Sequence, residues 1–411
     1  MQYGLIGYPL GHSYSKEIHA AIASYDYELH ELCEDKLAPF FNERDFKAVN
    51  VTIPYKQRVI PYLDFVSAEA ERIGAVNTIV NRGGKLCGYN TDFAGMRALA
   101  DRIGIAPAGK KVLVLGTGGT SKTAHAVLES MGAGEIITVS RRGRDGAITY
   151  AEALRDHKDA AYIFNTTPVG MYPDTEASPV DLAAFNKLKG VLDVVNNPLR
   201  TKLVQQAGAL GIPAEGGLYM LSAQAVFASA LFLDEPVKCE NIGLAYSSVL
   251  AAKRNIVLIG MPSCGKTSVG QRLSGLLGKR FADTDEIVKA ETGDISEYFA
   301  SRGEQSFRMI ERRAVSSVSA ETGLVIATGG GAPMFAENLD ALRKNGVLVF
   351  LDRGLDKLTA TDSRPLSSDS AALAKRYEER YEKYVSAADI VVDGNGSVDE
   401  TAEMIIKELY K

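Results

Sequence analysis

Short apolar runs recur along the chain and alternate with helix-like stretches. The runs Tyr3–Ile6, Ala48–Thr52, Lys111–Leu115, Glu135–Val139, Ala161–Asn165 and Val191–Val194 predict strands in the first 250 residues. Ile256–Ile259, Leu324–Ala327 and Val347–Leu351 predict strands in the remainder. Helices are predicted over Ser15–Ser24, Leu221–Phe232 and Asn241–Ala252. Such alternation predicts the α/β class with parallel sheets. A new strand, loop and helix begin at Asn255, almost without a linker.

Two of the strands run into glycine-rich loops of different design. Val112-Leu113-Val114-Leu115 leads into Gly116-Thr117-Gly118-Gly119 and a helix-like stretch. Glycines there permit a tight turn and close approach to a pyrophosphate, and the helix N-terminus favours negative charge. Ser121 stands where the dinucleotide pattern has its third glycine or alanine. The following strand ends in Ser140-Arg141-Arg142 rather than in the acidic residue that bonds ribose hydroxyls. Two guanidinium groups suit a 2′-phosphate, so NADP(H) is the expected cofactor; a solvated basic turn is the alternative. The second loop, Gly260-Met261-Pro262-Ser263-Cys264-Gly265-Lys266-Thr267, follows Ile256–Ile259 and fits the P-loop pattern in full. Its amides are expected to cradle a β-phosphate, Lys266 to reach the β- and γ-phosphates, and the Thr267 hydroxyl to bind Mg²⁺. Gly260 and Gly265 shape this ATP loop.

Composition narrows the class. A length of 411 residues predicts two or three domains. The net charge of -5 argues against a nucleic-acid partner. No apolar stretch approaches the ~20 residues of a membrane helix, and the N-terminus lacks the features of a signal peptide. Cys33, Cys87, Cys239 and Cys264 form no Cys-x-x-Cys pair, so a reducing cytoplasm is the expected setting.

Further polar clusters lie before the first loop. They are His12-Ser13-Tyr14-Ser15-Lys16, Asn50-Val51-Thr52-Ile53-Pro54-Tyr55-Lys56, Gly74-Ala75-Val76-Asn77-Thr78 and Gly88-Tyr89-Asn90-Thr91-Asp92. Taken singly, each is compatible with turn or capping chemistry. Together with Asn165-Thr166-Thr167-Pro168-Val169-Gly170-Met171 and Gly217-Leu218-Tyr219-Met220-Leu221-Ser222-Ala223-Gln224, they make residues 1–252 closely resemble shikimate dehydrogenase. The resemblance implies that Ser13 and Ser15 hold the substrate carboxylate, that Thr52, Asn77 and Gln224 bond its hydroxyls, and that Lys56 and Asp92 are the catalytic pair. A lysine beside a carboxylate can supply the proton that a ketone reduction needs. Asn196 departs from the family, which often has Tyr there.

Residues 253–411 resemble shikimate kinase. The matching elements are Phe281-Ala282-Asp283-Thr284-Asp285, Gly303 to Glu311 around Arg308, Thr328-Gly329-Gly330-Gly331-Ala332-Pro333, Arg364-Pro365-Leu366, and Arg380 with Tyr384. The resemblance implies that Asp285 acts on the acceptor hydroxyl and that Arg308 and Arg380 clamp the carboxylate. It further implies that Gly330 and Gly331 approach the ring, that Asp283 supports Mg²⁺ through water, and that Arg364 covers the nucleotide from a lid. Helix capping by Asp283 and Asp285, and a solvated face for Arg380 in the charged stretch Arg376 to Lys383, are the alternatives.

The expected organisation is therefore an α/β substrate domain over 1–100, completed by helices within 225–252. A Rossmann-like NADP domain over 101–224 and a P-loop domain of the nucleoside-monophosphate-kinase type over 253–411 follow. The expected function is bifunctional: reduction of 3-dehydroshikimate to shikimate with NADPH, then phosphorylation of shikimate with ATP and Mg²⁺. A quinate/shikimate dehydrogenase fused to the kinase, and a non-catalytic metabolite-sensing repressor, are the rival readings. Lys56, Asp92, Lys266 and Asp285 are all present, which argues for turnover. The assembly is left open, a homodimer included.

Overall fold

The computed structural model describes residues 1–10, 13–358 and 370–411, and divides into two compact units, Met1–Leu250 and Ala251–Lys411. The first unit holds two six-stranded sheets. One is built from β1 (Tyr3–Gly7), β2 (Tyr27–Glu31), β3 (Ala48–Val51), β4 (Phe65–Val66), β5 (Thr78–Arg82) and β6 (Lys85–Tyr89). Its order is β2-β1-β3-β5-β6-β4. The expectation of parallel sheets needs correction here, because β5 runs antiparallel to both β3 and β6. For the β5–β6 pair the reason is local. Gly83 and Gly84 both have positive φ, 61° and 89°, and return the chain in a two-residue turn. Such a turn joins antiparallel neighbours directly, whereas a parallel pair needs a long crossover.

The second sheet contains β7 (Lys111–Leu115), β8 (Glu135–Ser140), β9 (Ile148–Thr149), β10 (Tyr162–Asn165), β11 (Gly190–Asp193) and β12 (Ala214–Glu215). All its pairs are parallel, in the order β12-β11-β10-β7-β8-β9. The order reverses between β7 and β10. In open parallel sheets such a switch point opens a crevice at the carboxyl ends of the strands. Helix Leu218–Leu233 is long and mostly buried, and packs against helix Thr91–Arg102. Its apolar residues do not form one stripe, as expected for a helix covered on several sides.

The second unit carries a five-stranded sheet, all parallel: β13 (Asn255–Ile259), β14 (Arg280–Asp283), β15 (Leu324–Ala327), β16 (Gly346–Asp352) and β17 (Ile390–Asp393). The order is β14-β15-β13-β16-β17. Every residue of β13 is buried, which explains why this strand reads as an unbroken apolar run. No described helix is long and apolar enough to cross a membrane.

Candidate active sites

In the first unit, three polar clusters distant in sequence are tied together by backbone hydrogen bonds. The Val51 amide donates to the Asn77 carbonyl at 2.8 Å, Val76 to Lys56 at 2.8 Å, and Asn77 to Tyr89 at 3.0 Å. These bonds place the Lys56 loop against the start of helix Thr91–Arg102. Lys56 Nζ then meets Asp92 Oδ2 at 2.6 Å, with the two side chains 31% and 18% exposed. The pair is covered enough to hold its geometry and open enough to reach a ligand.

Asn77 is fixed by its neighbours. Its Oδ1 accepts from the Thr91 amide at 2.8 Å and from the Thr78 hydroxyl at 3.0 Å. Thr91 also donates from Oγ1 to Gln224 Oε1 at 3.3 Å. Sequence reading missed Thr91, which links Asn77 on one element to Gln224 on another; only its place beside Asp92 could have signalled it. Ser13 and Ser15 come together as expected, Oγ to Oγ at 3.1 Å. The capping alternative for them is partly realised: Ser13 Oγ accepts from the Ser15 amide, while Tyr14 is the residue at the helix N-cap and makes no side-chain cap. Thr52 follows β3 and is half-buried, its amide donating to the Ile6 carbonyl at 3.0 Å. His12 lies outside the described residues.

The dinucleotide-type loop sits at the switch point. A Cβ on Gly116 would lie 2.9 Å from Thr166 Oγ1, whereas Gly118 and Gly119 face open space. The helix Gly119–Ser130 starts without a side-chain cap. Its first amides are therefore available to an anion. Ser140 Oγ accepts from the Gly143 amide at 3.1 Å and shapes the turn that carries Arg141 and Arg142. Both arginines are exposed, and among the described residues neither forms an ion pair. Beneath the crevice, buried Asp193 accepts from Asn165 at 3.0 Å, the Val195 amide at 3.1 Å and Thr201 at 2.6 Å. Burial pushes its carboxyl up to about 6, against the pull of those donors.

In the second unit the P-loop wraps the start of helix Lys266–Leu277, with Gly265 as N-cap in left-handed backbone. Lys266 Nζ donates to the carbonyls of Gly260 and Met261 at 3.0 and 2.8 Å. Thr267 Oγ1 donates to Asp283 Oδ2 at 2.7 Å. The capping alternative holds for Asp283, whose other oxygen accepts from the Asp285 amide at 2.9 Å. Lys266, Thr267, Asp283, Asp285 and Thr328 line one cleft of about 240 Å³. Cys264 is buried within the loop.

The glycine triplet is explained by its neighbours. A Cβ on Gly329 would lie 2.4 Å from Asp285 Oδ1, and one on Gly331 would lie 2.5 Å from Arg308 Nη1. A side chain at Gly329 would displace Asp285, and one at Gly331 would displace Arg308. Gly330 carries a different contact: its carbonyl accepts from Tyr384 Oη at 2.6 Å and Arg380 Nη1 at 3.3 Å. Arg380 thus turns toward the glycine triplet rather than to a solvated face. Arg308 is held by Glu311 at 2.9 Å and Glu304 at 3.1 Å, and packs against Phe307 and Phe335. Burial pushes the Glu311 carboxyl up, opposed by the Arg308 guanidinium. No role for Glu311 was read from the sequence, although its spacing of three from Arg308 is a helical-pair signal. Arg364 lies outside the described residues.

Among the described residues no group of three or more His, Cys, Asp or Glu converges. Mg²⁺ at phosphate sites needs only one or two carboxylates beside phosphate oxygens and water, so Thr267 and Asp283 present a fitting donor set.

Comparison with known proteins agrees with this geometry. Residues 5–79 match the family model of the shikimate dehydrogenase substrate binding domain, and residues 262–410 match that of shikimate kinase. The shikimate dehydrogenase (NADP(+)) of Clostridium perfringens strain SM101 is 38% identical over 248 residues, which are 56% of this chain and 91% of that protein. The chain belongs to the shikimate dehydrogenase family. Its C-terminal part is a shikimate kinase domain. Among solved structures, shikimate dehydrogenase 1 from Peptoclostridium difficile superposes with a TM-score of 0.55 at 33% identity, covering 61% of this chain and 98% of that one. Shikimate 5-dehydrogenase from Thermus thermophilus, in complex with NADP(H) and shikimate, gives a TM-score of 0.55 at 29% identity, covering 60% and 99%.

Proposed function

We propose that this chain catalyses two consecutive reactions, reducing 3-dehydroshikimate to shikimate and phosphorylating shikimate on a hydroxyl group. The observation that carries this reading is the presence, in one chain, of a half-covered Lys56–Asp92 ion pair at 2.6 Å and a P-loop sharing one cleft with Asp285. Residues 1–100 with helices from 225–252 serve the substrate, 101–224 the dinucleotide, and 253–411 the second reaction. When bound, NADPH supplies the hydride and ATP the phosphoryl group, with Mg²⁺ neutralising phosphate charge.

The residues of the first site orient and protonate. Ser13 and Ser15 hold the substrate carboxylate, and Thr52, Asn77 and Gln224 bond ring hydroxyls. Lys56 donates a proton from Nζ to the oxygen that becomes the alcohol, and Asp92 keeps the ammonium aimed there. Gly116, Gly118 and Gly119 admit the pyrophosphate, while Ser140, Arg141 and Arg142 meet the 2′-phosphate. In the second site Arg308 and Arg380 clamp the carboxylate, held in place by Glu311 and the Gly330 carbonyl. Asp285 orients or deprotonates the acceptor hydroxyl, and Gly330 and Gly331 approach the ring. Lys266 moves from its loop carbonyls to phosphate oxygens, and Thr267 with Asp283 holds Mg²⁺.

Selective variants test the assignment. Lys56→Ala should lower hydride transfer by orders of magnitude and leave phosphoryl transfer intact; Lys266→Ala should do the reverse. Loss of both activities in either variant, or of neither, would contradict it.

A further inference from the structure

One cation at the nucleotide end of the second unit has no work in the scheme above. Arg353 is the residue immediately after β16, which ends at Asp352. β16 runs parallel to β13, with Phe350 opposite Ile259. The P-loop and the segment after β16 therefore leave the sheet side by side. Their approach is close. A Cβ on Gly260 would lie 3.0 Å from the Leu351 carbonyl oxygen, and one on Gly265 would lie 3.7 Å from Arg353 Nη1. Gly265 is the N-cap of helix Lys266–Leu277.

The guanidinium is short of partners. Its Nε is shut off from solvent and bonds to nothing, and among the described residues no carboxylate pairs with it. Its surroundings are positive rather than compensating. The helix beginning at Lys266 has no side-chain cap, so its free amides and the positive end of its dipole face this region. Among the described residues, Lys266 is bonded to loop carbonyls and, weakly, to the Cys264 sulfur. A half-buried guanidinium next to a helix N-terminus, with no carboxylate among the described residues to balance it, favours an anion that completes the set.

We propose that Arg353 is a nucleotide-binding residue, its guanidinium donating to oxygens of the polyphosphate chain held by Gly260–Thr267. The inference rests on the reading of this unit as an ATP-dependent kinase. It assigns Arg353 a phosphate contact independent of Arg364. The fork of a guanidinium can bond two phosphate oxygens at once, which an ammonium cannot.

The test is calorimetric titration of the full chain with MgADP and with magnesium tripolyphosphate, for the wild type, Arg353→Met and Arg353→Lys. The methionine keeps the apolar stem, so lost packing is separated from lost charge. Arg353→Met is expected to weaken both ligands by about tenfold or more, and Arg353→Lys to recover part of the loss. The KM for shikimate should stay unchanged, and the melting temperature without nucleotide should not fall in Arg353→Met, since an uncompensated charge is removed. Wild-type affinity for tripolyphosphate in Arg353→Met would overturn the proposal, whether or not ADP weakens, because a base contact alone would spare tripolyphosphate. A fall in ligand-free melting temperature in both variants, with the KM for shikimate rising alongside, would make Arg353 a structural prop and overturn it too. A wild-type chain that binds neither ligand would instead sink the kinase reading, and this inference with it.

Discussion

Gly95 gives the sharpest link between packing and chemistry in the first unit. It lies in helix Thr91–Arg102, one turn after Asp92, where that helix crosses Leu218–Leu233. In Gly95→Ala the new Cβ would lie 2.7 Å from the Met220 carbonyl oxygen and 3.0 Å from Gln224 Cβ. Ordinary contact begins near 3.4 Å, so the two helices must part by about 0.7 Å. The first obstacle is backbone, which cannot swing aside as a flexible side chain would. Overpacking of this kind costs about 1–3 kcal/mol. Alanine returns about 1 kcal/mol through its helix propensity, leaving a net loss of roughly 0–2 kcal/mol. The functional cost is larger, because one helix carries Asp92 and the other Gln224, and the 3.3 Å Thr91–Gln224 bond spans the gap. Misplacement of about 1 Å can cost a factor of about a hundred in rate. NADPH oxidation with 3-dehydroshikimate should therefore slow by about ten- to a hundredfold in kcat/KM, while phosphorylation of shikimate is unchanged. Wild-type hydride transfer in this variant, or an equal loss of kinase activity, would refute the argument.

Two other outcomes follow. Replacing Arg141 and Arg142 together with alanine should raise the KM for NADPH far more than that for NADH; equal effects would mean the two arginines do not read a 2′-phosphate. Asp193 bears on pH. Its folded carboxyl titrates near 6 against 3.8 ordinarily, so its contribution to stability is complete below 3.8 and is lost as pH rises through 6. Relative to the wild type, Asp193→Asn should gain roughly 3 kcal/mol between about pH 4 and pH 6 and then level off, read from urea unfolding of the first unit. A stability difference that does not vary with pH would contradict the buried-carboxyl account.

Much of the fold was legible because central parallel strands are apolar on both faces. The predicted runs Lys111–Leu115 and Leu324–Ala327 coincide with β7 and β15. The antiparallel return at Gly83-Gly84 was missed, although two adjacent glycines between strands are a turn signal. Contiguous motifs were easiest to place, since Gly260–Thr267 carries its own geometry. Partnerships across the chain were not. Nothing local ties Thr91 to Gln224, 133 residues away, or announces that Glu311 is buried beneath Arg308. Arg353 belongs to no motif; its approach to Gly265 and its unbonded, buried Nε single it out.

The most direct test of the two-reaction account is one assay of the intact chain with 3-dehydroshikimate and NADPH, run with and without MgATP and followed by mass spectrometry. Without MgATP, NADPH should be consumed and shikimate should accumulate in equal amount. With MgATP, shikimate should give way to its phosphate ester. Unchanged NADPH, or shikimate that accumulates undiminished beside MgATP, would contradict the account.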